Sequence, residues 1–349
     1  AFEGVANPVI WEGALFTSDP AGVAYAIETA TGNARWFRRV LWRASSGNYS
    51  VTAGAGLAIF HSALGEGGWT DQSEFVACDP DSGEERWRTR VDVNFYNVMM
   101  AFTVDYTALV FTDMNGGIHK HETRTGKEIW SVPGYPFELT PEAGWFGGVG
   151  ESPRCHGALA LIRGDMAWSS GNPTRCSGRV RGHSLETGEV LWSTDLAHMC
   201  GNAGAVADVD GVLTLVIGAG VTCLHPIAEA QPPFFGKVYG LEAVTGSILW
   251  MLETEPWFRG YCSGSITYEK CPQPNMPDAF CAPAIDGNGT AFIGWHGGIF
   301  YAIDARHGRV ISKYRCQGPQ SAPAIGPHGE LVVTACLSTF SFWPEPAEG

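Results

Sequence analysis

Few residues in this sequence combine the types and spacings that do chemistry. His119 and His121 are two apart, so on a strand they share one side, as two metal ligands would. No third ligand accompanies them, and Lys120 and Glu122 suit a solvated strand equally well. Asp113, His61, His296, Arg154 and Glu151 supply acid, imidazole and guanidinium groups, the set needed for acid–base work or anion binding if a fold gathers them. The chain has 10 Cys, none in Cys-x-x-Cys spacing, which excludes zinc ribbons and c-type haem attachment. An even count reads instead as disulfides made in an oxidising compartment. Two sequons agree, Asn48-Tyr49-Ser50 and Asn288-Gly289-Thr290. The chain opens at Ala1 without a basic leader, as a processed secreted or lumenal protein would.

The elements that would position these groups follow from composition and repetition. Of 349 residues, 45% are hydrophobic and 17% charged, enough for a large core. Gly 45 and Trp 13 point to tight turns and aromatic packing, an all-β pattern. A net charge of −14 argues against nucleic acid and anionic lipid as partners. The longest apolar run, Val212 to Val221, is broken by Gly218 and Gly220; it reads as a buried strand, not a membrane span.

Five segments end alike: Thr31-Gly32-Asn33-Ala34-Arg35-Trp36, Ser82-Gly83-Glu84-Glu85-Arg86-Trp87, Thr125-Gly126-Lys127-Glu128-Ile129-Trp130, Thr187-Gly188-Glu189-Val190-Leu191-Trp192 and Thr245-Gly246-Ser247-Ile248-Leu249-Trp250. A sixth, His307-Gly308-Arg309-Val310-Ile311-Ser312, keeps the Gly and loses the Trp. An acid stands three residues before the turn in Glu28, Asp79, Glu122, Glu242 and Asp304, with Ser184 in the fourth copy. Each copy is a hairpin: the Gly takes the positive φ of the turn, the acid accepts turn N–H groups, and the Trp opens the next strand with a large ring to bury.

These segments resemble the PQQ-type (quinoprotein-like) β-propeller repeat, Ala-x-Asp-x-x-Thr-Gly-x-x-x-Trp, whose family includes quinoprotein alcohol dehydrogenases and the assembly lipoprotein BamB. The resemblance implies an all-β fold: one propeller domain over residues 1–349, with about seven four-stranded blades, eight also fitting relatives. The last blade lacks its fourth strand, which an N-terminal strand from Phe2 to Ala6 is expected to supply, closing the ring and removing open edges. Catalytic members hold PQQ and Ca²⁺ over a Trp floor beside a disulfide of adjacent cysteines. This sequence has no Cys-Cys pair and no block matching their catalytic acids, so no cofactor is assigned, PQQ and Ca²⁺ being the ones the resemblance allows.

The A–B and C–D turns are short, whereas the insertions fall between strands B and C (His61 to Glu74, Ser169 to Arg179, Thr222 to Lys237) and between D and the next A (Ser131 to Ser152, Met251 to Phe280). Antiparallel strands put both kinds of insertion at one end, which is therefore the expected binding face. It carries Trp69, Trp145, Phe146, Phe234, Phe235, Trp257 and Tyr261, with Trp295, His296 and Asn115 at equivalent B–C turns. Cys200–Cys223, Cys316–Cys336 and Cys155–Cys176 are expected disulfides across that end; Cys262, Cys271 and Cys281 compete for a fourth, and Cys78 reads as a buried thiol. Two functions follow: a non-catalytic recognition or assembly module for a protein partner or a second copy, or an enzyme, PQQ-type or otherwise, using His296, Asp113, His61 and Arg154.

Overall fold

The computed structural model describes residues 8–19, 21–41, 49–64, 72–93, 100–113, 116–134, 161–174, 177–200, 202–220, 233, 235–256, 280–295, 297–316, 322–326, 328–335 and 338–342. They form strands and turns, with no helix long and apolar enough to cross a membrane among them. Seven antiparallel sheets follow one another along the chain. Blade 1 holds Val9–Trp11, Ala14–Ser18, Val23–Glu28 and Ala34–Arg39; blade 2 holds Tyr49–Gly54, Leu57–Ala63, Ser73–Cys78 and Glu85–Val91. Blade 3 holds Ala101–Phe102, Ala108–Thr112, Ile118–Glu122 and Glu128–Val132; blade 4 holds Leu161–Arg163, Met166–Thr174, Ser177–Ser184 and Val190–Leu196. In blade 5, Met199–Cys200 and Ala205–Val209 both pair with Val212–Gly220, followed by Lys237–Glu242 and Ile248–Glu253. Blade 6 holds Ala284–Ile285, Thr290–Trp295, Ile299–Asp304 and Arg309–Arg315. Blade 7 has three strands, Ala324–Ile325, Leu331–Ala335 and Ser338–Phe342; the expected ring-closing strand Phe2 to Ala6 lies outside the described residues.

The chain folds as two compact units, one of residues 1–134, 156–169 and 184–189, the other of 135–155, 170–183 and 190–349. The first is cored by Phe16, Trp36, Phe60 and Val76, by Ile59, Phe75, Leu109 and Phe111, and by Val110, Ile118 and Ala167. The second is cored by Val216, Val238, Trp250, Phe280, Ile293 and Trp295, and by Phe300, Leu331 and Val333. Middle strands are covered on both faces: every residue of Ser73–Cys78 and of Ala108–Thr112 is buried. The run expected to be a buried strand is one, Val212–Gly220. Outer strands alternate exposed and half-buried side chains, as one-sided sheet edges do.

The repeat acquires a mechanical meaning here. In all six copies the turn Gly donates its N–H to the carbonyl of the Glu, Asp or Ser four residues earlier. The register of each C–D pair then skips one residue, the one before the Trp position: Arg35, Arg86, Ile129, Leu191, Leu249 and Ile311. That bulge re-aims the strand. Each Trp side chain leaves its own blade and donates Nε1–H to a carbonyl at the start of the following blade's C–D turn. Trp36 reaches Pro80 O at 2.8 Å, Trp87 Thr123 O at 2.9 Å, Trp130 Leu185 O at 3.3 Å, Trp192 Ala243 O at 3.1 Å and Trp250 Ala305 O at 2.7 Å. The ring lies flat on that turn's Gly: a Cβ at Gly83, Gly126, Gly188, Gly246 or Gly308 would stand 2.3–2.8 Å from indole carbons of the preceding blade. Gly32 begins the series with no atom of the described residues against it. Small residues face the indoles across the C–D ladder, Ala26, Ala77, Gly182 and Gly240; Lys120 is the exception, and its Nζ donates to the same Leu185 carbonyl at 2.9 Å.

The short acids do as expected, since Asp79 Oδ1 accepts from the N–H of Asp81 and Ser82, and Asp304 Oδ1 from Arg306 and His307. The longer Glu122 and Glu242 accept instead from the Thr125 and Thr245 hydroxyls, because the extra methylene carries the carboxylate past the turn N–H groups. One insertion is much shorter than expected. The Ser169 to Arg179 segment is mostly strand, the hairpin running to Thr174 and resuming at Ser177.

Candidate functional site

Asp113 follows strand B of blade 3 and opens the B–C turn. Its N–H donates to Gly117 O at 3.0 Å, and Gly117 N–H donates to its Oδ1 at 2.9 Å. A Cβ on Gly117 would stand 2.2 Å from Asp113 Oδ2, so only glycine leaves the carboxylate room. Oδ2 meets His119 Nε2 at 2.9 Å, and His119 Nδ1 meets Ser131 Oγ at 3.0 Å across the ladder, where His119 and Ser131 are direct partners. Asp113 is 2% and His119 4% exposed, whereas Ser131 faces solvent.

Aromatic rings support this group from below. His119 stacks on Phe111 with centroids 5.3 Å apart at 18°, Phe111 packs on Phe75 at 4.8 Å, and His61 packs on Phe75 at 5.2 Å. Burial alone drives His61 down to about 3, so its ring is neutral. His121 Nδ1 lies 2.9 Å from Gly126 O, a carbonyl that only accepts, which makes Nδ1 the protonated nitrogen. Burial also lowers His121, countered by that hydrogen bond. His119 and His121 thus share a side of the strand as expected, but both rings point into the packed interior, each toward its own partner. Nearby, the Glu74 carboxylate is 1% exposed and meets Arg88 Nη1 at 2.7 Å; Arg88 Nη2 also reaches Val40 O at 2.8 Å, tying blade 2 to the end of blade 1. Glu85 and Glu74 raise the Arg88 guanidinium far above its usual range.

Asp113 and His61 therefore enter one packed neighbourhood, although neither opens to solvent. Trp295 ends strand B of blade 6 fully buried among Phe280, Gly236 and Gly297, so its ring is part of the core of that blade. His296, Asn115, Arg154, Glu151, Trp69, Trp145, Phe146, Phe234, Trp257 and Tyr261 lie outside the described residues, and Phe235 is half-buried. So do Cys155, Cys176, Cys223, Cys262, Cys271 and Cys336, hence one or both partners of each expected disulfide. Cys78 is a free buried thiol, as expected, pushed up to about 12 by burial; Cys281 is another, its sulfur accepting Gly294 N–H at 3.0 Å. Cys200 sits in Met199–Cys200, held by the Asn172 side chain at both its N–H (2.8 Å) and its carbonyl (3.1 Å). Asn288 is exposed in the A–B turn of blade 6, and Asn48 lies outside the described residues.

Sequence reading missed Ser131, which it counted with the D–A insertion. The structure ends the strand two residues later, at Val132. The signal lay in the register: once Trp130 is fixed by the repeat, the next residue must face His119.

The described residues do not fit PQQ with Ca²⁺. The Trp of blade 6 is enclosed by Phe280 and glycines and offers no face to a planar quinone. The Asp113 carboxylate, an otherwise suitable hard ligand, is already engaged by Gly117 N–H and His119.

A family profile described as outer membrane protein assembly factor BamB matches residues 38–224, just over half of the 349. Among solved structures, BamB from Moraxella catarrhalis superposes with a TM-score of 0.61 at 14% identity, over 94% of this chain and 81% of that one. A quinohemoprotein alcohol dehydrogenase from Pseudomonas putida HK5 gives 0.54 at 13%, over 93% of this chain and 61% of that one. The computationally designed Ika8 protein gives 0.52 at 11%, over 99% and 97%. No curated protein matches. At these identities the likeness is one of fold, an all-β propeller of about seven blades.

Proposed function

Because the chain belongs to the outer membrane protein assembly factor BamB family, we propose that it is a recognition or assembly module whose principal work is to bind a protein partner, or a second copy of itself, through the loop-bearing ends of its blades. The observation that carries this reading is the one-sidedness of the blades. A–B turns are short: in blades 1, 2 and 5 they close in two residues, Glu12-Gly13, Ala55-Gly56 and Asp210-Gly211, all at positive φ as type I′ turns require, and those of blades 3, 6 and 7 span 103–107, 286–289 and 326–330. The long connections 65–71, 135–160, 221–232 and 257–279 all join B to C or D to the next A. A rigid ladder with elaboration at one end is how loop-borne recognition is built. Trp69, Trp145, Trp257 and Tyr261 are its candidate anchors, together with Asn115 and His296. One propeller domain over 1–349, a secreted, lumenal or periplasmic location, disulfides at Cys200–Cys223, Cys316–Cys336 and Cys155–Cys176, and glycans on Asn48 and Asn288 belong to the same reading.

A photo-crosslinking amino acid placed at Trp145 or Trp257, and in parallel at Asp210 or Asn288 on the turn end, tests it in cells. Discrete protein adducts from the loop positions alone are expected. Adducts from the turn positions alone, or equally from both, overturn the proposal.

A further inference from the structure

We propose that Ser131, His119 and Asp113 form a serine nucleophile with its proton relay, open to small acyl esters on the outer strand of blade 3. This goes beyond the binding role and does not depend on it. A carboxylate only accepts hydrogen bonds, so the 2.9 Å contact assigns the ring proton of His119 to Nε2. Nδ1 is then the acceptor, and the Ser131 hydroxyl donates to it over 3.0 Å. That polarity is the one a general base needs to take a proton from the attacking oxygen. The orienting acid is fixed twice, by Gly117 N–H and by the lack of space at Gly117, while Phe111 holds the imidazole plane. Acid and base are buried, and the serine at the end of the relay is an exposed residue on a part-buried hydrogen bond. Ser131 also lies on the last strand of its sheet, with which no further strand pairs among the described residues.

The chemistry balances without any added group. Ser131 Oγ bonds to the ester carbonyl carbon as its proton passes to His119 Nδ1, and Asp113 compensates the imidazolium charge. Collapse of the tetrahedral adduct breaks the bond to the alkoxy oxygen, which leaves as the alcohol with the proton from Nδ1. Water attacks the acyl-serine by the same route in reverse, releasing the carboxylic acid and restoring Ser131.

An alkyl fluorophosphonate tests this on the full chain, since attack by Oγ forms an O–P bond, breaks the P–F bond and expels fluoride. Intact mass and peptide mapping should show one adduct, on Ser131. Ser131→Ala, on an exposed outer-strand position, should abolish it, and Asp113→Asn should slow it about a hundredfold. The labelling rate of the wild-type chain should rise with pH as one basic group loses its proton, which a purely structural hydrogen bond does not produce. A wild-type chain that takes no label, or an adduct that persists in Ser131→Ala, overturns the proposal.

Discussion

At the residue scale, the buried histidines are the part of the site least visible in sequence. His61 could be placed at the end of a strand, but whether an imidazole there faces a mouth or a core depends on its cross-strand partner Phe75 and on Phe111 of the next blade, which packs on Phe75. Its burial has a measurable consequence. The unfolded chain protonates His61 below an ordinary value of 6.5, while the folded chain resists until about 3. Between those limits the unfolded state binds the extra proton, so stability falls as pH drops through that window, by about 1.4 kcal/mol per pH unit for this one group. In His61→Leu the urea midpoint should therefore change less between pH 7 and pH 4.5 than in the wild type; an unchanged acid sensitivity would show that His61 is solvated. Asp113 was legible as a functional candidate because acid and glycines crowd one turn. Its relay to Ser131 was not, since it runs through two strand registers.

At the element scale, the six hairpins were readable because a glycine, a polar anchor and an indole recur at fixed offsets. Blade boundaries in the C-terminal third followed from that spacing, with Arg309–Arg315 and Ser338–Phe342 within one residue of expectation. The destination of each indole was not readable, because the receiving carbonyl lies 36 to 55 residues away. The bulge before each Trp was hidden too, being a property of pairing. The two roles of the turn glycine can be separated by substitution. Gly246 has φ +76° and the Trp192 ring where a Cβ would go, at 2.3 Å, whereas Gly32 has φ +72° and open space. Gly32→Ala should cost about 1 kcal/mol for the backbone conformation alone. Gly246→Ala should cost about 3 kcal/mol or more, because the Trp192 ring must also move. Equal losses in denaturant melts would mean that the indole contact adds nothing.

At the scale of the whole molecule, the all-β class and the count of about seven blades came through in the sequence, because both depend on repetition, and the cysteine framework is where expectation and test meet. Four pairs among ten cysteines would leave two thiols, Cys78 and one other, and the burial of Cys78 and Cys281 pushes both up to about 12, where little thiolate forms. The native protein should resist alkylation, and the denatured, unreduced protein should take two labels by mass; ten labels would remove the disulfides altogether. The indole clasps also have a direction that bears on how the protein is made. Each Trp lies upstream of the turn that receives it. A ribosome therefore delivers each of the five repeat indoles before its receptor exists, and each of the first five blades, once complete, displays an uncovered ring until the next hairpin emerges. From the first hairpin to the fifth, nascent chains of this protein thus carry one aromatic handle for whatever shields unfinished polypeptides; the handle moves down the chain with synthesis and is lost when the sixth hairpin, whose Ser312 replaces the Trp, covers Trp250.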